Sequence, residues 1–326
     1  MKKTFQISDW WENQKRRRAV RPGTANGVLL ISAGGLGDTV LFAHVISRFL
    51  KLAKKDESVT VLLRTDALKM AFLFPSEIQV LTVDFDRLRK DLGYRKKVLD
   101  DLFKENYRLL VHADYLRHPD LDEALVAAAM ADEAIAMEPR PWVKYDTRLK
   151  VNRRLYQRLF DSGPPHRNKI LRWARFADWL TGDITPPPVA VLEPGGLDSP
   201  AILDTPTVVI QPFSAVKQKQ SPPALCRTII EALPSGSQTV ITGTTKDLEK
   251  NPEFKELLSI EGVEFDDSVF AELVPLLRSA ALVISVDTAL MHLAVAVGAP
   301  TVCLASAAYV GEIVPYDPAI TPGNVR

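Results

Sequence analysis

Three short stretches carry side chains whose types and spacing could do chemistry. In "ISAGGLGDTV", Asp38 follows Gly34, Gly35 and Gly37 at the entrance to a helical pattern. Glycines at such a turn let backbone N–H groups approach a ligand closely, as in loops that cradle phosphate. The spacing is not G-x-G-x-x-G, however, and a carboxylate there repels an anion. Asp38 has two better uses, which are compatible. As a helix N-cap it satisfies orphan N–H groups, contributing about 1 kcal/mol. As a general base it accepts a proton from a substrate hydroxyl, since a carboxylate of ordinary pKa near ~3.9 is ionised at neutral pH.

The second stretch, "VISVDTALMHLAVAVGAP", reads as strand, turn and helix ending at Gly298 and Pro300. The N–H groups of Thr288, Ala289 and Leu290 open that helix, which is anion-binding geometry. Asp287 cannot favour phosphate, so it caps the helix or bonds sugar hydroxyls. His292, one turn beyond Thr288, shares its face and is either a satisfied structural residue or a ligand group. In the third stretch, "VVIQPFSAVKQKQSPPALCRTIIEAL", Ser214, Lys217 and Lys219 occupy a loop leaving a strand. A lysine there neutralises a diphosphate as a point charge, or is merely solvated. Ser221 with Pro222 and Pro223 marks the next helix start.

Two weaker constellations lie in the first half. Asp84 and Asp86 in "VDFD" have the D-x-D spacing that some sugar-transfer enzymes use to hold a divalent metal. They end an apolar strand with no nucleotide loop paired to them, so a solvated strand end and no metal requirement are expected. His112, Asp114 and Arg117 in "VHADYLRHP" leave another strand, as acceptor contacts or as a polar loop.

The elements that must position these groups alternate between apolar runs and helical patterns, an α/β arrangement with mainly parallel sheets. First-half strands are expected at residues 28–33, 59–64, 79–85, 108–113 and 133–137, and second-half strands at 207–211, 238–243, 263–266, 281–286 and 300–305. Behind Asp38, apolar Val40, Leu41, Val45, Ile46, Phe49 and Leu50 predict one continuous helix. The stretch "TGDITPPPVAVLEPGGLDSPAILDTP" is dense in Pro and Gly and lacks periodicity, as boundaries do. The expected organisation is a basic tail over 1–26, a Rossmann-like domain over 27–185, a linker over 186–206 and a second Rossmann-like domain over 207–326.

Composition bounds the partners. The 326 residues are 46% hydrophobic and 25% charged with net charge +1, which argues against nucleic acid. Cys226 and Cys303 lack close-spaced partners, so neither a disulfide framework nor a zinc site is suggested. Charge is uneven at the start, where residues 1–21 hold seven Lys or Arg against Asp9 and Glu12, a net of +5, beside Trp10 and Trp11. This segment is either a solvated tail or a peripheral contact with an anionic membrane. No apolar run approaches the roughly 20 residues that cross a bilayer, and no signal-type segment opens the chain, which points to the cytoplasm.

Together the three stretches resemble the glycosyltransferase family 9 heptosyltransferases of lipopolysaccharide synthesis, over most of the chain. Leu36, Gly37 and Asp38 reproduce the family's Leu-Gly-Asp before its first helix. Gln211, Pro212, Phe213 and Ser214 stand at its His-Pro-Gly-like loop, Lys219 at its lysine, and Ser221 replaces a frequent Trp. Asp287, Thr288, Leu290, Met291, His292, Leu293 and Ala294 match Asp-Ser/Thr-Gly-x-x-His-Leu-Ala, with Ala289 in the Gly position. Phe213 and Ala289 depart from the usual glycines, and "LASAAY" departs from Phe-Gly-Pro-Thr. The chain stops at Arg326, so the usual C-terminal helix that packs back on the first domain is expected to be missing or short.

The resemblance implies a GT-B architecture, two Rossmann-like domains facing a central cleft, with acceptor on the first and nucleotide sugar on the second. It implies Asp38 as the base for an inverting attack, with Gly35 and Gly37 leaving room for the acceptor hydroxyl, and His112, Asp114 and Arg117 on the acceptor side. Ser214, Lys219 and the N–H groups of Thr288, Ala289 and Leu290 would meet the diphosphate, and Asp287 with His292 the donor sugar. No metal or other cofactor is implied; the donor is a nucleotide-diphosphate sugar, ADP-heptose by expectation, and the acceptor a saccharide or lipopolysaccharide-core glycolipid at the inner face of the inner membrane. A non-catalytic sugar-nucleotide or glycan-binding protein of the same fold is the alternative. A nicotinamide-dependent oxidoreductase fits less well, because the G-x-G-x-x-G turn is absent and Asp38 stands too close to serve as its ribose-binding acid.

Overall fold

The computed structural model describes residues 3–305 and 310–323; Lys2 of the basic segment, residues 306–309 of "LASAAY" and the last three residues lie outside them. Contacts divide the chain into two compact units. The first comprises Met1–Gly35, Val45–Arg167 and Arg172–Thr185; the second comprises Leu36–His44, Asn168–Leu171 and Pro186–Arg326. In chain order the first 14 helices and strands are α1 (Lys3–Arg18), β1 (Val28–Ser32), α2 (Leu36–Ala43), α3 (Ile46–Phe49), β2 (Val59–Arg64), β3 (Ile78–Val83), α4 (Phe85–Lys90), α5 (Leu92–Lys104), β4 (Leu109–His112), α6 (Asp122–Ala129), β5 (Glu133–Met137), α7 (Asp146–Asn152), β6 (Arg158–Phe160) and α8 (Lys169–Thr181). There follow β7 (Thr207–Gln211), α9 (Pro223–Ala232), β8 (Gln238–Thr242), α10 (Thr245–Lys250), β9 (Val263–Asp266), α11 (Val274–Ser279), β10 (Leu282–Val286), α12 (Ala289–Ala296) and β11 (Thr301–Leu304).

The first unit holds a sheet of order β3-β2-β1-β4-β5-β6, and the second a sheet of order β11-β10-β7-β8-β9. Every pairing in both is parallel. Parallel strands covered on both faces must be apolar almost throughout, which is why β1 is buried along its whole length. In each sheet the strand order reverses beside the first strand, between β1 and β4 or between β7 and β10. Ligands of open α/β sheets bind at the carboxyl ends of the strands flanking such a reversal.

The strand missing from the sequence expectations is β6. Its three residues, Arg158–Phe160, pair only with β5 at the sheet edge, too short a run to show an apolar pattern within a charged segment. The expected continuous helix behind Asp38 is also interrupted. α2 ends at Ala43, Val45 has φ −125° and ψ −13°, and α3 is a separate four-residue turn. The Pro-rich stretch is strapped to the second unit, with Ala190 N–H donating to the Ile320 carbonyl, Leu192 to Ala296 and Ala201 to Pro275. Its backbone partners lie in that unit, so Pro and Gly density here marks irregular chain and not a free connection. No helix among the described residues is long and apolar enough to cross a membrane.

The basic N-terminal segment is not a solvated tail. α1 is bound to the first unit by Asp9, whose carboxylate accepts from Nε and Nη2 of the fully buried Arg95 at 2.5–3.1 Å. Arg16 donates to Asp100 at 2.6 Å, and Glu12 pairs with Lys96 at 2.8 Å. Past the helix, Arg21 donates to the carbonyls of Ala129 and Met130 and lies over the Phe103 ring.

In the second unit Phe213 is core, 2% exposed, with its ring 4.7 Å from that of Phe254. It fits because residue 243 is glycine. A Cβ there would lie 2.6 and 2.8 Å from two Phe213 ring carbons. Gly243→Ala is therefore expected to destabilise the protein by about 1–3 kcal/mol, read as a lower denaturant midpoint, and Phe213→Leu should recover part of the loss. A midpoint unchanged in Gly243→Ala would mean that the ring shifts freely.

Candidate functional site

The second unit brings together polar groups from distant parts of the sequence. β7 ends at Gln211, whose side-chain oxygen accepts from Phe213 N–H at 2.6 Å and tightens the turn. Ser214 Oγ accepts from Val216 N–H at 3.2 Å, and a 3₁₀ turn over Lys217–Lys219 then presents Lys219. Lys219 Nζ donates to Asp287 Oδ2 at 2.6 Å. Because β7 pairs directly with β10, the Lys219 loop and Asp287 leave the carboxyl ends of the two strands at the reversal of strand order.

Asp287 is committed to this ion pair and does not cap α12. The N-cap is Thr288, whose backbone is extended and whose side chain makes no cap hydrogen bond. Its Oγ1 is buried without a hydrogen-bond partner among the described residues. The helix start thus carries a positive dipole end and a hydroxyl lacking a partner, beside a lysine whose ammonium has three donors. This arrangement suits an anion bearing several oxygens. At the far end, Gly298 has φ +87°, a conformation that terminates the helix and strongly favours glycine.

His292, on the buried face of α12, is 3% exposed. Its Nδ1 lies 2.7 Å from the Tyr316 hydroxyl, the two rings stacking at 5.8 Å between centroids, and its Nε2 lies 3.8 Å from Asp287 Oδ1. Burial pushes His292 down to about 4, against the opposing pull of Asp287 and Asp38. The ring is therefore neutral at pH 7. The Asp287 carboxylate facing Nε2 favours the tautomer with the proton on that nitrogen, in which Nδ1 accepts from the Tyr316 hydroxyl.

Asp38 belongs to this cluster. It lies in the first turn of α2, and α2 packs on α12. Its Oδ1 accepts from Lys169 Nζ at 2.5 Å, both side chains being 24% exposed. Lys169 opens α8, and its backbone N–H donates to Glu312 O at 3.0 Å. Asn168 Oδ1 accepts from Ile170 N–H at 2.9 Å, capping the helix. Gly37 explains the close approach of α2 to α12. A Cβ at this position would lie 3.1 Å from His292 Cδ2 and 3.8 Å from Ala289 Cα. A Cβ at Gly35 would meet nothing within 4 Å among the described residues, and neither glycine adopts the left-handed conformation.

The acceptor-side candidates and the D-x-D pair lie in the first unit, where each has partners in the fold. His112 and Arg117 are fully buried in the first unit and Asp114 nearly so. Arg117 donates to Glu123 and to the Met137 carbonyl, and stacks over Tyr156. Asp114 Oδ2 accepts from Ala33 N–H at 2.6 Å, tying together the chain ends at the reversal between β1 and β4. His112 Nδ1 accepts from Asp114 N–H at 3.3 Å. Asp84 is the N-cap of α4, accepting from the N–H groups of Asp86 and Arg87, and Asp86 pairs with Arg89 and Lys90. No group of His, Cys, Asp and Glu among the described residues is arranged to hold a metal ion.

Sequence reading missed Lys169, Tyr316 and His44. Lys169 left one trace, since a lysine at a helix start opposes the dipole and so needs an anionic partner. His44 follows α2, is 8% exposed, and has no hydrogen-bond partner at either ring nitrogen among the described residues. Burial first, and the nearby His292 second, push it down to about 3.

These neutral histidines set an acid limit on stability. His44, His112 and His292 bind protons more weakly folded than unfolded, so from their ordinary 6.5 downward the unfolded chain gains protons that the folded one refuses. Buried Asp122, raised from 3.8 to about 7, works in the opposite direction. His118, pushed down to about 4 chiefly by burial, joins the three histidines, and four such groups outweigh one, so folding stability should fall as pH drops from 6.5 toward 4, at about 1.4 kcal/mol per pH unit per uncompensated histidine. Denaturant melts at pH 7 and 5 test this, and His44→Leu should flatten the dependence.

Residues 190–322 match the sequence model of Glycosyltransferase family 9 (heptosyltransferase). Among solved structures, E. coli heptosyltransferase WaaC with ADP is similar at 18% identity over 91% of each chain, TM-score 0.68. E. coli ADP-heptose lps heptosyltransferase II is similar at 16% identity over 92% of this chain and 89% of that one, TM-score 0.64. The glycosyl transferase family 9 from Veillonella parvula DSM 2008 is similar at 13% identity over 86% and 80%, TM-score 0.64. At these identities the likeness is one of fold, two parallel α/β sheets as in the GT-B heptosyltransferases. No curated protein sequence matches the chain.

Proposed function

Since residues 190–322 carry a glycosyltransferase family 9 domain, we propose that the protein is an inverting glycosyltransferase that moves a heptose-like sugar from a nucleotide diphosphate to a saccharide acceptor. The observation that carries this reading is the convergence in one unit of Lys219, the uncapped start of α12 and the Asp38 carboxylate. Asp38 takes the proton of an acceptor hydroxyl while its oxygen attacks the anomeric carbon. The bond from that carbon to the diphosphate breaks, and the leaving group carries away the electron pair. Lys219 and the N–H groups of Thr288, Ala289 and Leu290 stabilise the departing charge, the task a metal performs elsewhere, so no metal is required. Ser214 would add a hydroxyl contact to the diphosphate. Neutral His292, with Asp287, offers hydrogen bonds to the donor sugar, and Lys169 orients the Asp38 carboxylate through its ion pair.

ADP-heptose is the proposed donor, which accords with the ADP and ADP-2-deoxy-2-fluoro heptose of the WaaC structures. The acceptor in this reading is a lipopolysaccharide-core glycolipid, met in the cytoplasm at the inner face of an anionic membrane. A thermal-shift screen of nucleotide diphosphates and their sugars tests the donor site, because a ligand at 100 times its Kd raises stability by about 2.7 kcal/mol. ADP-heptose should raise Tm and then turn over with a core saccharide. No shift with any nucleotide-diphosphate sugar would sink the reading; a shift without transfer to any acceptor would mark a non-catalytic sugar-nucleotide-binding protein.

A further inference from the structure

We propose that the outer face of α1 rests on an anionic lipid bilayer and holds the protein at the membrane surface. The helix is built inside out. The face turned to the first unit carries the charged groups Asp9, Glu12 and Arg16, each tied to α5 through Arg95, Lys96 or Asp100. The opposite face exposes Ile7, Trp10 and Trp11, which are 58%, 57% and 57% exposed, with the two indoles edge to face at 5.2 Å. Spacings of three and four residues put them in one stripe. Lys3, Lys15, Arg17 and Arg18 are exposed, and at 100° per residue they fall on the same half of the helix. Val20, just past the helix, is 95% exposed.

Charge selects the occupant. Tryptophans flanked by lysine and arginine match the headgroup layer of an anionic bilayer, where indoles enter the interface and cations meet lipid phosphates. A second copy of this chain would set the same cations against each other, which disfavours self-association through the face. The inward ion pairs also fix the helix beforehand, so docking does not have to fold it. The inference draws its purpose from a glycolipid acceptor, but the binding it describes does not depend on turnover.

Flotation of the full chain tests it, with vesicles of phosphatidylcholine alone and of phosphatidylcholine mixed with phosphatidylglycerol. The wild type should bind the mixed vesicles, weakly bind the neutral ones, and lose affinity as salt is added. Trp10→Ala/Trp11→Ala and Arg17→Gln/Arg18→Gln should each weaken binding roughly tenfold or more while leaving helix content and Tm unchanged. No binding of the wild type to mixed vesicles would overturn the proposal, as would variants that bind as the wild type does. Dimerisation or nucleic-acid binding lost in these variants, without vesicle binding, would assign the face to another partner. Vesicle binding in a protein that recognises no nucleotide sugar would leave this inference standing and remove the transferase reading.

Discussion

Replacing Asp38 by Asn is expected to preserve the fold and lower turnover by about 10²- to 10⁴-fold, the usual range for loss of a positioned general base. Asn has nearly the same shape and keeps an oxygen for Lys169, whose ammonium lies 2.5 Å from Asp38 Oδ1. The close approach of α2 to α12 is made at Gly37, where there is no side chain. What the substitution removes is the ability to accept a proton. Tm and donor affinity should therefore stay near wild type while kcat falls. A kcat equal to wild type would confine Asp38 to its ion pair with Lys169.

Lys219→Ala should act on the other substrate. Asp287 is 7% exposed, and its carboxylate takes Lys219 Nζ at 2.6 Å. Removing the lysine deletes the proposed phosphate cation and strands a buried carboxylate beside the anion it must now repel. Loss of about 2 kcal/mol or more is typical when one partner of a buried charge pair is truncated, so nucleotide-diphosphate affinity should drop by at least about 30-fold in a calorimetric titration. Lys219→Arg should retain part of it, as a cation of different geometry. Wild-type affinity in Lys219→Ala would end its phosphate role. The substitution should also destabilise the folded protein, so the titration is run below the variant's own Tm.

The elements that came most directly from sequence are the central strands. β2, β5 and β7 run over the residues their apolar patterns outlined, because a strand buried on both faces has few other compositions open to it. The helix after Asp38 did not follow its pattern, since apolar spacing says which face is buried but not against what. α2 takes its partner, α12, from the far end of the chain, and the helical period breaks where that contact ends. Motif residues Asp38, Lys219, Asp287 and His292 could be picked out because each follows a strand. Lys169 and Tyr316 could not, as their place in the cluster arises from folding over more than a hundred and about two dozen residues, respectively. Phe213 looked like a departure from a glycine loop; its compensation, Gly243, lies on another strand's end and is invisible to local reading.

The pairing of Gly37 with His292 has a further bearing on how the carboxylate next to it behaves. A helix seated where one added carbon would meet His292 Cδ2 at 3.1 Å is placed by shape, which neither ionic strength nor protonation alters. The direction of the Asp38 carboxylate, by contrast, is set by a partly exposed ammonium, which salt does weaken. Location and aim are thus under separate control, the first rigid and the second adjustable by the solution around it.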